Sequence, residues 1–313
     1  MSLYDELKKI EPFSLAAHSD ADGVYSATIL KRLFKTIGKV ELPGFNNYTT
    51  QVACDLGYPA MDGWKGIAID HHPGHPEKRE YNLYWDYMPT GLVLYKNLKE
   101  YLPKKDWWLV VGSAVGDGQA ELVPPEIWDA NPDLLNGRGS AYKYNFKISQ
   151  SNYPLFVILS SGVNSMCRSG FPEQALQALE DFDNPIDLLE SSTVKDASER
   201  MRYEEDAVFK NKIVTEQLGN WLSLVRIKTS KPQIKIGGII GAKLSGVDDA
   251  KTYIVLNETS GEASLRGNFA KYCADKLAAM GYKAGGHAKF AGLSVEPDEV
   301  PALIKDIRKL RIG

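Results

Sequence analysis

The sequence predicts a two-domain α/β protein: an N-terminal domain built on a parallel sheet with helices on both faces, and a smaller α+β domain joined to it by a helical linker. Three observations predict it. In the first half, short apolar runs that end near an Asp or His are separated by stretches with a helical period. A proline-free, charge-rich stretch covers 193–219. The last hundred residues then change to alternating strand patterns closed by helical ones. The division that follows is 1–192, a linker over 193–219, and 220–313.

Taken in order, Phe13-Ser14-Leu15-Ala16-Ala17 is a short strand ending at His18. Val24, Ala27, Leu30, Leu33, Phe34 and Ile37 step by three and four, which is a helical period. Gln51-Val52-Ala53-Cys54 is a second strand, ending at Asp55, and Gly66-Ile67-Ala68-Ile69 a third, ending at Asp70. Trp107-Trp108-Leu109-Val110-Val111 reads as a fourth buried strand leading to Gly116-Asp117-Gly118. Each run delivers an Asp at or soon after its C-terminal end, so the four clusters are expected to converge on one edge of a parallel sheet.

Residues 119–190 read as helical and connective, with breaks at Pro124-Pro125 and Asn131-Pro132-Asp133 and a helix opened by Pro172. Residues 193–219 read as one long polar helix. Beyond it, Leu222–Ile227, Lys235–Ile240, Thr252–Leu256 and a run ending at Arg266 read as strands. Asn268 to Met280 reads as a helix capped by Asn268 and stopped by Gly281. Leu293-Ser294-Val295 is a strand and Val300 to Leu310 a closing helix.

Hydrophobic content of 43% and charged content of 25% are those of a globular protein. No basic region followed by an apolar run opens the chain, and no stretch is apolar enough to span a bilayer. The three cysteines, Cys54, Cys167 and Cys273, form neither a disulfide framework nor a zinc motif, which agrees with a reducing cytoplasm. The net charge of −3 is uneven: residues 226–313 carry 15 Lys+Arg against 9 Asp+Glu, or +6, leaving −9 on residues 1–225. An acidic first part suits divalent cations and a basic second part suits a polyanion, although uneven solvated faces would give the same figures.

All five histidines fall in three motifs: His18-Ser19-Asp20-Ala21-Asp22-Gly23, Asp70-His71-His72 with His75 after it, and Gly285-Gly286-His287. Asp20 and Asp22, two apart on a strand-to-helix turn, can reach one point; side by side they repel, and a divalent cation is the usual remedy. Alone, Asp-x-Asp-Gly is also an ordinary turn. Asp70-His71-His72 adds imidazole to hard oxygen donors, which favours Mn²⁺ or a similar ion. Asp55 and Asp117 complete an inventory that suits two metals sharing a carboxylate. In the second half, Gly285-Gly286 would let backbone amides approach an anion, while Arg266, with Lys289 nearby, can grip a phosphate. Trp107 and Trp108 read as core. Tyr142, Tyr144 and Phe146, interleaved with Lys143 and Lys147, form a candidate base-stacking run.

The ordered set resembles the DHH phosphoesterase superfamily, in the subgroup with a C-terminal DHHA1 domain. The matching motifs are His18-Ser19-Asp20-Ala21-Asp22-Gly23, Asp55-Leu56-Gly57-Tyr58-Pro59, Asp70-His71-His72, Gly116-Asp117, Ser264-Leu265-Arg266 and Gly285-Gly286-His287-Ala288-Lys289-Phe290-Ala291-Gly292-Leu293. The resemblance implies that Asp20, Asp22, Asp55, His71 and Asp117 hold two Mn²⁺ or Mg²⁺ ions, with Asp55 as the bridge. His18 is counted with these candidate ligands, although it stands two residues before Asp20 where many relatives place a His four residues before the first Asp. The resemblance further implies that Asp70 orients a neighbouring imidazole and His72 faces the scissile phosphate. His75 matches no role and reads as a loop residue. Arg266, Gly285, Gly286, His287 and Lys289 are implied substrate-binding residues; Ala284 stands where relatives often carry a third Gly.

The implied activity is a metal-dependent phosphodiesterase that releases mononucleotides from an end of single-stranded nucleic acid or short oligonucleotides, as RecJ-like exonucleases and nanoRNases do. Two alternatives stand beside it. One is a phosphodiesterase or phosphatase for cyclic dinucleotides or 3′-phosphoadenosine 5′-phosphate; the other is a catalytically silent scaffold in a replication or repair complex. The expected partners are the nucleic-acid substrate and replication or repair proteins, with no membrane, in the cytoplasm.

Overall fold

The computed structural model describes residues 2–43, 48–57, 63–135, 154–211, 213–248, 250–286 and 288–311. The chain divides into two compact units, Met1–Cys167 with Phe171–Ser198, and Arg168–Gly170 with Glu199–Gly313.

The first unit opens with helix α1 (Leu3–Ile10), strand β1 (Leu15–Ala17) and helix α2 (Ala21–Leu33). Strands β2 (Val40–Glu41), β3 (Val52–Cys54), β4 (Ile67–Asp70) and β5 (Asn82–Trp85) follow, then helices α3 (Thr90–Leu98) and α4 (Trp107–Gly116). The sheet is parallel throughout, in the order β2-β1-β3-β4-β5. Its strands are short and buried, so they show apolar runs rather than alternation. One face of the sheet (Leu15, Ala17, Val52, Cys54, Ile67, Ile69) joins the main core with Val24, Tyr25, Ile29 and Trp108. The other face carries the small residues Ala16, Ala53 and Ala68 at its centre, with Leu83 packed beside them, and is covered by Tyr48, Leu56, Trp64 and Tyr81.

The fourth predicted strand is a helix. Trp107–Val111 lies in α4, whose residues from Trp107 to Ala114 are all buried. A helix enclosed on every side is apolar all round and loses the 3.6-residue signature, so its run cannot be told from a buried strand. The last strand of the sheet is β5, Asn82-Leu83-Tyr84-Trp85, which is half-buried or exposed along its whole length.

Helices α5 (Pro125–Ala130), α6 (Leu155–Arg168), α7 (Pro172–Asp181) and α8 (Pro185–Glu190) complete the connective region, and α9 (Ser192–Lys210) contains the division between the units. The helix expected over 193–219 therefore ends early, and strand β6 (Val214–Gln217) occupies part of that span.

The second unit continues with β7 (Leu222–Ile227), α10 (Gly237–Val247), β8 (Thr252–Asn257), β9 (Glu262–Arg266), α11 (Ala270–Ala279), β10 (Lys283–Gly286), β11 (Phe290–Ser294) and α12 (Val300–Ile307). Its sheet has the order β10-β11-β9-β8-β7-β6, antiparallel except for the β7–β8 pair. Lys235–Ile240, read as a strand, instead leads into α10. Gly237, Gly238 and Gly241 pack that helix so closely that a Cβ on Gly238 would lie 2.9 Å from Arg266 and one on Gly241 2.8 Å from it. Tertiary packing overrides the β-branched preference of Ile239-Ile240 here.

Candidate metal centre

Three neighbouring strands end at one place. His18 follows β1, Asp55 follows β3, and Asp70 ends β4 with His71 and His72 directly after it. The His18 N–H donates to Cys54 O at 3.2 Å and the Asp55 N–H to Ile69 O at 3.0 Å, so the ladder itself holds these residues at the carboxyl edge. Asp55 takes a left-handed backbone, φ 60°, the one non-glycine residue to do so among those described. That conformation is costly for a residue with a Cβ and persists only where the surroundings impose it.

Asp20 caps α2 by accepting the Gly23 N–H at 3.1 Å. Gly23 is demanded by close approach, because a Cβ there would sit 2.2 Å from the His18 carbonyl oxygen. Asp22, in the first turn, is fully buried. Its Oδ2 accepts the Thr90 N–H at 2.8 Å, and its Oδ1 accepts from Ser113 Oγ at 2.5 Å and Ser26 Oγ at 3.3 Å. Thr90 begins α3, so one of the unpaired amides of a helix N-terminus faces this carboxylate. Asp117 arrives as the C-cap of α4 rather than from a strand.

The eight candidate residues of the first unit thus come together. His71 Nε2 lies 3.2 Å from Asp55 Oδ1, 3.1 Å from Asp117 Oδ2 and 3.8 Å from Asp22 Oδ2. His18 Nδ1 lies 2.9 Å from Asp20 Oδ2 and 3.7 Å from Asp55 Oδ2. The two oxygens of Asp55 therefore face two different groups, His18–Asp20 and His71–Asp22–Asp117. Both oxygens are buried and neither has a hydrogen-bond partner among the described residues. Ligand atoms in each of three sets, His18–Asp20–Asp55, Asp22–His71–Asp117 and Asp55–His71–His72, lie within 4.8 Å of one another and could hold a metal ion.

The electrostatics follow from this crowding. Burial, then repulsion from Asp22, Asp20 and Asp117, pushes the Asp55 carboxyl well above its ordinary range. Burial and the charges of Asp22 and Asp20 do the same to Asp117. Burial also raises Asp22, against the pull of His71 and Ser113. For Asp20, burial is outweighed by His18 and the Gly23 N–H, and the acid stays below its usual range. Burial lowers the His71 imidazole in spite of Asp22. Carboxylates pressed together in this way, one without a hydrogen bond to either oxygen, fit a divalent cation.

Asp70 differs from the other acids because donors surround it. Its Oδ1 accepts the His71 N–H at 2.8 Å, the His72 N–H at 3.2 Å and the His72 ring Nδ1 at 2.8 Å. Burial opposes its ionisation, but the bonds from His72 and His75 hold it below the usual carboxylate range. A ring nitrogen that donates to a carboxylate has no lone pair for a metal, so Nδ1 of His72 is committed to Asp70. His75 lies in a loop, as its sequence suggests, but its ring is engaged: Nε2 is 2.7 Å from Asp70 Oδ2.

The supports of the site leave little trace in the sequence. Ser113 reads there only as part of the run before Asp117. Thr90 gives no signal, because a helix N-terminus aimed at a distant carboxylate leaves no local pattern. His75 stands three residues beyond His72, outside the motif that would mark it.

In the second unit Arg266 ends β9, with its guanidinium donating to Ala291 O at 3.1 Å and lying 5.4 Å from the centre of the exposed Phe290 ring. Burial, then the charge of Arg168, lowers its pKa to about 10. Gly285 and Gly286 are not in a free loop; they form the end of edge strand β10, paired with Gly292 and Ala291. Gly286 has φ 144°, and a Cβ there would lie 2.4 Å from Ala291 Cα. Lys289 is exposed. His287 lies outside the described residues, as do Tyr58, Pro59, Tyr142, Tyr144 and Phe146. No helix among the described residues is long and apolar enough to cross a membrane.

No family model and no curated protein matches the chain. Solved structures do. An exonuclease RecJ bound to manganese matches with a TM-score of 0.60 at 14% identity over 98% of this chain and 91% of that one. RecJ from Thermus thermophilus in complex with Mn²⁺ matches with a TM-score of 0.64 at 14% identity over 98% of this chain, which spans only 53% of that protein. A CDC45 from Entamoeba histolytica matches with a TM-score of 0.58 at 8% identity over 98% of this chain and 96% of the other. A parallel-sheet unit with acids at its strand ends, a second mixed-sheet unit, and these matches together show that the chain shares the fold of the RecJ structures.

Proposed function

We propose that the chain is a metal-dependent phosphodiesterase that removes mononucleotides from an end of single-stranded nucleic acid or short oligonucleotides. The observation that carries this reading is Asp55, whose two buried oxygens, without a hydrogen bond among the described residues, face two separate His/Asp groups. This arrangement supports the reading of Asp55 as a ligand that two Mn²⁺ or Mg²⁺ ions would share. His18 and Asp20 would hold one ion, and His71, Asp22 and Asp117 the other. Bound cations of this kind supply Lewis acidity and a hydroxide nucleophile at neutral pH.

The chain's own residues do the rest. Thr90, Ser113 and Ser26 hold the Asp22 carboxylate in one orientation, so the acid cluster is assembled before a ligand arrives. His72 faces the scissile phosphate; burial disfavours its charge, but the bond it donates to Asp70 prevails and raises its pKa, which suits a ring that donates a proton to a phosphoryl oxygen. Arg266, with Gly285, Gly286, His287 and Lys289, grips a phosphate of the substrate. The likeness to RecJ supports a nucleic-acid substrate. The intact carboxylate set speaks against a silent scaffold, since a protein without catalysis has no use for buried acids that repel one another.

The test is product analysis with Mn²⁺ on end-labelled DNA and RNA strands, from dinucleotides to long oligomers, beside a cyclic dinucleotide. Progressive mononucleotide release from strands upholds the proposal. Turnover confined to the cyclic compound, or none with any substrate, overturns it.

A further inference from the structure

Asp70 has two oxygens, and the histidine pair of its own motif occupies one of them. The second, Oδ2, is taken by His75 Nε2 at 2.7 Å. The other nitrogen of that ring, Nδ1, lies 2.7 Å from the hydroxyl of Tyr81. Both side chains are enclosed: that of His75 is 5% exposed, and Tyr81 packs on Trp64 beneath the sheet.

The proton positions in this row follow from valence. Ionised Asp70 can only accept, so His75 must donate from Nε2. The Nδ1 of a neutral ring is then an acceptor, and Tyr81 donates to it. On the far side His72 must donate from Nδ1 to Oδ1. The row runs Tyr81 to His75 to Asp70, with His72 donating from the opposite end, and each donor leaves the next group one role. The backbone of His72 is held as well, because Trp85 Nε1 donates to its carbonyl at 2.8 Å.

We propose that His75, backed by Tyr81, is a positioning residue that fixes the Asp70 carboxylate so that His72 keeps its proton on Nδ1 and turns Nε2 to the substrate phosphate. The proposal rests on the reading of His72 as the phosphate-facing residue of a phosphodiesterase. Without His75, Oδ2 would be buried and bare, and Asp70 would be free to turn about its terminal bond until its oxygens shared the remaining donors. The His72 ring would then lose its fixed tautomer. His75 touches neither the substrate nor the metal, so its loss should appear in turnover rather than in metal uptake.

The experiment uses the full chain with His75→Ala, His75→Gln and Tyr81→Phe, and Asp55→Ala in parallel. Glutamine keeps an N–H for Asp70. With Mn²⁺, His75→Ala is expected to lower kcat about 10- to 100-fold with KM and Mn²⁺ affinity within about twofold of wild type. His75→Gln should recover most of that loss, and Tyr81→Phe should lose only about two- to fivefold, since one link remains. Ring-nitrogen NMR of the metal-free proteins above pH 8 supplies a readout independent of turnover: His72 in the Nδ1–H form in wild type, and a mixture of tautomers in His75→Ala. An unchanged His72 tautomer in a folded His75→Ala protein overturns the proposal, as does a loss of kcat that glutamine does not restore. If wild type shows no Mn²⁺-dependent hydrolysis, the phosphodiesterase reading fails, and if Asp55→Ala keeps it, the assignment of Asp55 to the metal fails; the NMR result still decides what His75 does to His72.

Discussion

Asp55 Oδ1 lies 3.2 Å from His71 Nε2, and neither oxygen of that carboxylate has a hydrogen bond among the described residues. The pair comes from two adjacent strand ends, one residue past β3 and one past β4. A buried acid left bare beside an imidazole, with Asp22 and Asp117 on the same imidazole, is a donor set arranged for a cation rather than for the fold's own stability.

Removing the Asp55 carboxylate should therefore separate function from stability. Asp55→Ala is expected to abolish hydrolysis, by about a thousandfold or more, and to remove most Mn²⁺ uptake in calorimetric titration. Asp55→Asn should make the metal-free protein more stable, because it removes a carboxyl whose charge burial and four neighbouring acids oppose. Full activity in Asp55→Ala would refute the bridging assignment.

The same acids set a pH dependence. Asp55 and Asp117 have folded pKa values raised above the unfolded carboxylate value of about 3.9, so above that pH the folded state holds protons that the unfolded state has released. Their contribution to metal-free stability is thus greatest below about pH 4 and declines as pH rises through their raised values. Thermal melts of the metal-free protein should show that decline from about pH 4 upward, less steeply in Asp55→Asn. Saturating Mn²⁺ should flatten it, since the cation takes the place of the protons.

Ser113→Ala tests the support beneath Asp22. The 2.5 Å bond to Oδ1 is charge-assisted and fully buried. Its loss should cost about 1.5–3 kcal/mol in urea unfolding and weaken Mn²⁺ binding about 10-fold or more. A mutant with unchanged metal affinity would show that the Thr90 N–H, 2.8 Å from Oδ2, and the Gly91 N–H, 3.3 Å from Oδ1, suffice to hold the acid.

Gly23→Ala should be worse than its size implies. The added methyl would meet the His18 backbone, which cannot swing aside as a side chain can. A loss of about 1–3 kcal/mol with impaired metal binding is expected, read by urea midpoint and Mn²⁺ titration.

Arg266→Ala or His287→Ala should raise KM about 10-fold or more and leave Mn²⁺ stoichiometry intact, because Arg266 belongs to the second unit and the ligands to the first. Cleavage of long strands should fall steeply with salt and that of dinucleotides only slightly, since longer substrates release more counterions. Equal salt slopes for both lengths would point to a small-nucleotide enzyme.

The motifs that hold the chemistry were legible because each lies in a few consecutive residues: His18 to Gly23, Asp55 after its strand, Asp70 to His72, and Asp117 beside glycine. Strands β1, β3 and β4 were legible for a related reason, since a short buried strand of a parallel sheet must be an unbroken apolar run. The helix α4 was not, because complete burial erases the polar face that distinguishes a helix, and neither was α10, whose glycines answer to Arg266 in another element. Only the tertiary structure decided that Ser113 and the first amide of α3 grip Asp22, and that His75 closes on Asp70. Ser113 and Asp22 are 91 residues apart, and no local pattern records which distant donor a folded chain will bring to a buried acid. By itself the sequence named the candidate residues and placed His18, Asp55 and Asp70 at the ends of their strands. The fold decided which of them touch and in what proton state, because contact and burial exist only once the chain is packed.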